Sequence, residues 1–92
     1  MPQVLRIGSY IIYFWSNENN PLEPIHVHIA EGQPYANATK LWITSTGKIL
    51  ICHNNSMISE KILRKIIRIL EANSDEIINA WLERFGEIKY FC

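Results

Sequence analysis

The sequence has little cysteine and lacks the motifs of the common hydrolase chemistries. Cys52 and Cys92 are the only cysteines, and neither has the CxxC spacing of a zinc knuckle or a redox pair, so we expect free thiols. A Gly-rich phosphate loop, a GxSxG elbow and an HExxH motif are all absent. These absences argue against nucleotide hydrolysis and against serine or cysteine hydrolysis.

Long apolar runs and an excess of charge of either sign are also missing. No stretch approaches the ~18 consecutive apolar residues of a membrane span, and the first residues lack a signal-peptide pattern. We therefore expect a cytoplasmic protein that does not bind a membrane. Nine Lys and Arg balance nine Asp and Glu, which argues against a protein that mainly coats DNA, because such binding depends on neutralising phosphates.

What the chain does contain is enough apolar material for one globular domain. It has 92 residues, of which 48% are hydrophobic, and domains seldom divide below this length. We expect residues 1–92 to form a single domain, with a β-meander in 1–53, a helical pair in 59–86 and a tail in 87–92.

Alternating and β-branched residues predict five short strands in the first part of the chain. These are Val4–Ile7, Tyr10–Trp15, Ile25–Ala30, Lys40–Thr44 and Lys48–Cys52. Gly8-Ser9 and Ser45-Thr46-Gly47 have the composition of hairpin turns. The second strand is apolar on both faces, which predicts that it lies centrally or that one face meets a partner.

The period of the apolar residues changes to that of a helix after Ser59. Ser59 and Ser74 are predicted N-caps and Gly86 a helix-terminating residue. A break near Asn73 is expected, because one continuous helix would place Asn73 within the apolar stripe. Residues 87–92 predict either a short edge strand or a docked tail. The fold class is therefore α+β, an antiparallel sheet of four to five short strands followed by two C-terminal helices packed on one face.

The most specific local pattern is His26-Val27-His28. The period of two in a strand places both imidazoles on one face, and we expect the helices to cover the opposite face and leave this one open. A general acid and base for phosphodiester cleavage, with Arg6 or Lys40 steadying the phosphorane, is one interpretation. Metal ligation, contact with a protein partner, and a solvent-facing strand without chemistry are the others.

Metal ligation needs at least a third ligand beside the two imidazoles. The candidates are Glu18, Glu31, His53 and Cys52, and none has a spacing that compels the assignment. The sequence therefore predicts no metal site and no cofactor, and zinc binding stays an alternative.

A basic stripe and two aromatic residues supply candidate binding surfaces. Cations at i, i+3, i+4 and i+7 of the first helix lie on one side of it, and the set consists of Lys61, Arg64, Lys65 and Arg68. The stripe would contact RNA phosphates or an acidic partner, or else form a solvated face. Trp15 and Trp42 would stack bases or anchor an interface, or else pack in the core.

Several of these motifs together resemble one family of short bacterial proteins. They are the segments VLRIGSY, SNE, HVH, KLW and AWLERFG. The combination resembles the family known as domain of unknown function 4160. The resemblance covers nearly the whole chain, with Arg6, Glu18, His26, His28 and Lys40 at motif positions. It implies a protein associated with toxin–antitoxin systems or mobile elements, often encoded beside another small protein, and it implies no catalytic residues.

These observations lead to a hypothesis with two alternatives. We expect a toxin–antitoxin-type bacterial protein that binds a small cognate protein partner and that can also form a homo-oligomer. The alternatives are a metal-independent ribonuclease that uses His26 and His28, and a zinc-binding module. The sequence does not establish whether the protein is an enzyme.

Overall fold

The chain forms five strands and then two helices. A computed structural model describes residues 3–15 and 22–92. The elements are β1 (Gln3–Ile7), β2 (Tyr10–Tyr13), β3 (His26–Glu31), β4 (Thr39–Ile43), β5 (Ile49–His53), α1 (Glu60–Ala72) and α2 (Ser74–Phe85). The predicted α+β fold is confirmed, although β2 ends two residues earlier than expected and the bounds of the later strands move by a residue. Within the described ranges, no helix has the length and apolar character that crossing a membrane requires.

The sheet is an antiparallel meander in which every strand pairs with its sequence neighbours. The order is β1-β2-β3-β4-β5, so β2 lies inside the sheet, as its two apolar faces predict. Ile11, Ile12 and Tyr13 of β2 are all buried. Both faces of this strand are therefore covered within the chain itself.

The main core lies between one face of the sheet and the two helices. Alternate residues of β3, Val27 and Ile29, meet Leu63 and Ile66 of α1 and Trp81 of α2 in one buried cluster. The helices thus cover the face of β3 on which the sequence predicted them. The period of two places the apolar residues of the strand in this layer, and the helical period places the apolar residues of the helices there.

The two helices are separated at Asn73, as predicted. Ser59 caps α1 with its hydroxyl, which accepts the N–H of Ile62 at 3.3 Å. The prediction that Ser74 caps α2 is wrong by one residue: Asn73 is the cap, and Ser74 is the first helical residue. The side-chain amide of Asn73 donates to the Ile69 carbonyl at 2.7 Å, so it closes α1 instead of capping α2 with its side chain.

The C-terminal tail docks on the rest of the domain and forms no strand. Gly86 ends α2 with φ +79°, and the chain then runs past the start of β3. The carbonyl of Lys89 accepts the N–H of Ile25 at 2.8 Å, and the carbonyl of Cys92 accepts the N–H of Ser45 at 3.0 Å. Of the two alternatives for residues 87–92, the structure shows the docked tail.

Gly47 is expected to tolerate substitution poorly for two reasons. Its φ is +84°, and a Cβ there would lie 2.9 Å from the Ser74 hydroxyl oxygen. We expect Gly47→Ala to lower the free energy of unfolding by about 2 kcal/mol in urea titrations, because left-handed backbone costs a residue with a Cβ roughly 1–2 kcal/mol.

Gly8→Ala is the matched control, because Gly8 has φ +59° and no neighbour within 4 Å of the added Cβ. Gly8→Ala should lower the free energy of unfolding by less than Gly47→Ala does. The difference between the two variants should become smaller when Ser74→Ala is also present, because the hydroxyl that the new Cβ meets is then absent. Equal losses for the two glycine variants would contradict a contact between Gly47 and the start of α2.

Candidate functional site

The two imidazoles of β3 lie side by side, as the period of two predicts. The ring centroids of His26 and His28 are 5.2 Å apart, and the rings meet edge to face. Both side chains are buried, with 0% of His26 and 3% of His28 exposed. The prediction that this face of the sheet is open is therefore wrong.

Aromatic rings enclose His26 at the end of the sheet where the tail docks. The His26 ring lies 5.6 Å from Trp42 of β4 and 5.4 Å from Trp81 of α2, centroid to centroid. Its Nδ1 donates to the Pro24 carbonyl at 2.8 Å. Helix α2 and the tail thus contact the start of β3. The alternation of residues within β3 could not predict this contact.

His28 belongs to a second, smaller core on the face of the sheet away from the helices. This core includes Ile11, Tyr13, Ala30 and Ala38, with Trp15 packed against it. The ring of His28 stacks on Tyr13 at 5.7 Å, and its Nδ1 donates to the Ala38 carbonyl at 3.2 Å. Burial combined with a main-chain hydrogen bond is typical of an imidazole that supports the fold.

The two cations proposed to assist catalysis do not both reach the imidazoles. Lys40 lies directly opposite His28 in the β3–β4 pair. Arg6 aligns with Ile11 and through it with Ala30, two strands away from His28, which places the Cα atoms about 12 Å apart. Of the two candidate cations, Lys40 therefore lies beside an imidazole, and Arg6 does not.

The ammonium of Lys40 already has two partners. Its Nζ lies 2.6 Å from Oε1 of Glu23 and 4.5 Å from the ring centroid of Trp42. The side chain is only 15% exposed. A half-buried cation held by a carboxylate and an aromatic face fixes the packing of β4 against the segment that leads into β3.

His53 joins Lys40 and His28 in a polar row across the sheet, although it lies outside the HxH pattern. A bulge between Lys40 and Leu41 places His53 opposite Lys40, so that Tyr13, His28, Lys40 and His53 follow one another across four strands. From the turn alone, the regular register would place Cys52 there. A bulge is a local insertion in the ladder, and the sequence carries no signal for this one.

The pKa values of the two residues at the ends of this row, His53 and Tyr13, are shifted. Burial lowers the pKa of His53 below its ordinary value of 6.5, and the nearby His28 and Lys40 lower it further. At the other end, burial raises the pKa of Tyr13 above 10.0, which keeps its hydroxyl protonated. That hydroxyl donates to the Tyr35 carbonyl at 2.6 Å and accepts the Tyr35 N–H at 3.0 Å.

The remaining candidates for metal ligation that the structure describes form no metal-binding group. Glu31 accepts a hydrogen bond from the Ser9 hydroxyl at 2.8 Å, and Cys52 is exposed on β5. Glu18 lies outside the described residues. In the ranges 3–15 and 22–92, no group of three or more His, Cys, Asp or Glu side chains is arranged to hold a metal ion.

The two tryptophans and the basic stripe differ in how much surface they offer. Trp15 is half-buried beside Tyr13, and the ring of Phe91 covers Trp42 in a parallel stack at 4.9 Å. By contrast, all four cations of α1 are exposed, and Arg64 pairs with Glu60. The residues that line an open depression there are Glu60, Lys61, Arg64 and Arg68.

The burial of the imidazole pair predicts that each ring contributes to stability. We expect His26→Ala and His28→Ala each to lower the free energy of unfolding by about 2–4 kcal/mol, since both leave a cavity in a packed layer. His53→Asn, at a half-buried position, should cost less than either. Losses below about 0.5 kcal/mol in urea titrations, within the range of surface substitutions, would show that the two rings are accessible.

The lowered pKa of His53 predicts a dependence of stability on pH. The unfolded chain takes up a proton near the ordinary pKa of 6.5, whereas the folded state resists protonation until a lower pH. The free energy of unfolding should therefore fall as the pH drops through this window. We expect the decrease from pH 7.5 to about 5 to be smaller in His53→Asn than in the original chain, and equal decreases would contradict the assignment.

Comparison with known proteins identifies the family of the chain. Neither the curated proteins nor the solved structures include a match to the chain. The sequence profile of one family, described as Domain of unknown function (DUF4160), matches residues 9–82, which include β2 to β5, α1 and most of α2. The chain belongs to this family, the domain of unknown function 4160.

Proposed function

We propose that the protein is a binding module for a small protein partner, which adds a strand to the outer edge of β5. The supporting observation is the composition and exposure of this edge strand. Leu50 is 42% exposed and Ile51 is 53% exposed, on opposite faces of a strand whose sheet partner is β4. Large apolar side chains on an edge strand are typical of surfaces that pair with another chain.

The hydrogen bonds at the ends of β5 show which main-chain groups point outward. The N–H of Thr44 donates to the Lys48 carbonyl at 2.9 Å, and the N–H of Ile49 donates to Oε2 of Glu71 at 3.0 Å. Because bonded and non-bonded pairs alternate in an antiparallel ladder, the N–H and C=O of Ile51 point away from β4. A short extended segment can bond to these groups.

The partner would find apolar contacts on either side of that segment. Leu50 lies opposite Trp42 in the β4–β5 pair, on the face where Phe91 of the tail is 57% exposed. Ile51 lies on the side of the helices. Main-chain bonds at the edge would supply affinity, and the alternating side chains would supply specificity.

In this proposal the partner is the cognate half of a toxin–antitoxin-type pair, as the family resemblance of the sequence implies. Support for binding over catalysis comes from the burial of His26 and His28, which leaves no open imidazole pair for a substrate. Nothing in the described geometry favours the ribonuclease or the zinc-binding alternative over partner binding.

The test compares four forms of the protein as bait in an extract of the cells that naturally encode it. Leu50→Lys adds a charge to the edge, and Ile51→Pro removes an outward N–H without removing a bond to β4. Leu82→Lys is the matched control, because Leu82 of α2 is 39% exposed. We expect one small protein to bind the original chain and Leu82→Lys and to be lost from the two β5 variants.

The captured protein, once purified, should then bind the original chain in calorimetry and bind Leu50→Lys at least about tenfold more weakly, which corresponds to 1.4 kcal/mol. Growth arrest on expression, relieved by co-expressing the partner, would support the toxin–antitoxin role. Equal capture by all four forms, or capture of nothing specific, would overturn the proposal.

A further inference from the structure

The two helices carry opposite charges on their outward faces. α1 has four cations and two carboxylates, a formal charge of +2, and α2 has three carboxylates and one cation, a formal charge of −2. The α1 cations are all exposed, as are Asp75, Glu76 and Glu83 of α2. Although the net charge of the chain is zero, the two helices of this layer therefore carry opposite net charges.

The charges of one helix do not neutralise those of the other within the chain. Among the described residues, the ion pairs are Arg64 with Glu60 inside α1 and Lys40 with Glu23 in the sheet region. Neither joins α1 to α2. Lys61, Lys65 and Arg68 of α1 and the carboxylates of α2 therefore remain available to another molecule.

The spacing of these charges matches between the two helices. Lys61 and Arg68 are seven residues apart in α1, and Glu76 and Glu83 are seven residues apart in α2. Seven residues of helix span about 10.5 Å. Two helices that cross in antiparallel orientation can therefore pair Lys61 with Glu83 and Arg68 with Glu76, an orientation that their dipoles also favour.

We infer that the helical layer is a self-association surface, on which α1 of one copy packs against α2 of a second copy. In a two-fold symmetric dimer this contact occurs twice, because the same operation places α2 of the first copy on α1 of the second. The dimer pairs +2 with −2 at both positions. This surface is separate from the β5 edge, so the inference does not depend on the proposed function.

The first measurement is the mass of the full chain in solution at different salt concentrations. In sedimentation equilibrium at about 20 mM NaCl, we expect the mean mass to rise from 10.7 kDa towards twice that value as concentration increases. At about 0.5 M NaCl it should return to the monomer, because salt screens exposed charges. A monomer at every salt and protein concentration would overturn the inference.

The decisive experiment exchanges the charges of the two helices. In one variant Lys61→Glu and Arg68→Glu make both outward faces negative, and in the other Glu76→Lys and Glu83→Lys make both positive. We expect each variant to be monomeric alone, with an unchanged circular dichroism spectrum. An equimolar mixture should restore the dimer, because each negative face then meets a positive one.

A control tests whether a general attraction between oppositely charged proteins could explain the association of the mixture. Lys48→Glu with Lys89→Glu produces the same net charge as the negative variant, but both positions lie outside the helices and are exposed. We expect this control to dimerise by itself and not to associate with the positive variant, whose α2 would face the unchanged α1. Association of that mixture would overturn the inference.

Two further outcomes identify other uses of the same surfaces. Leu50→Lys should dimerise as the original chain does, and loss of the dimer in this variant would assign self-association to β5 and overturn the inference. A labelled single-stranded RNA that binds the original chain and the positive variant, with no dimer in the charge-exchanged mixture, would assign the α1 stripe to phosphates and likewise overturn it.

Discussion

Burial of both faces of the central strands is the constraint on which the rest of the structure depends. One face of β3 meets the helices through Val27 and Ile29, and the other carries His26 and His28 into a layer closed by aromatic rings. Imidazole has polar nitrogens, so its burial requires partners, and the carbonyls of Pro24 and Ala38 supply one for each ring. These bonds fix the segments on either side of β3 against the sheet.

The strands, the helices and their pairing could be predicted from the sequence because their signals are local. Gly8-Ser9 marks the first hairpin, the period of two places His26 beside His28, and the helical period breaks at Asn73. Each of these depends on residues a few positions apart. The face of the sheet that the helices cover followed from the same alternation.

The candidate site could be predicted only in part because its environment is made by distant contacts. The layer over His26 requires Trp81, and the tail over Trp42 requires Phe91, both far along the chain from β3. The place of His53 beside Lys40 requires a bulge in the β4–β5 ladder. The alternation of β3 alone therefore predicted an open polar face, whereas the folded chain has a second core there.

One carboxylate in this structure limits how far the sheet can grow. Glu71 reaches from α1 to occupy the N–H of Ile49 at the start of β5. A foreign strand can therefore bond along only part of this edge. Such partial blocking is one way in which soluble proteins keep an apolar strand end from seeding fibrils while leaving room for a short, finite contact.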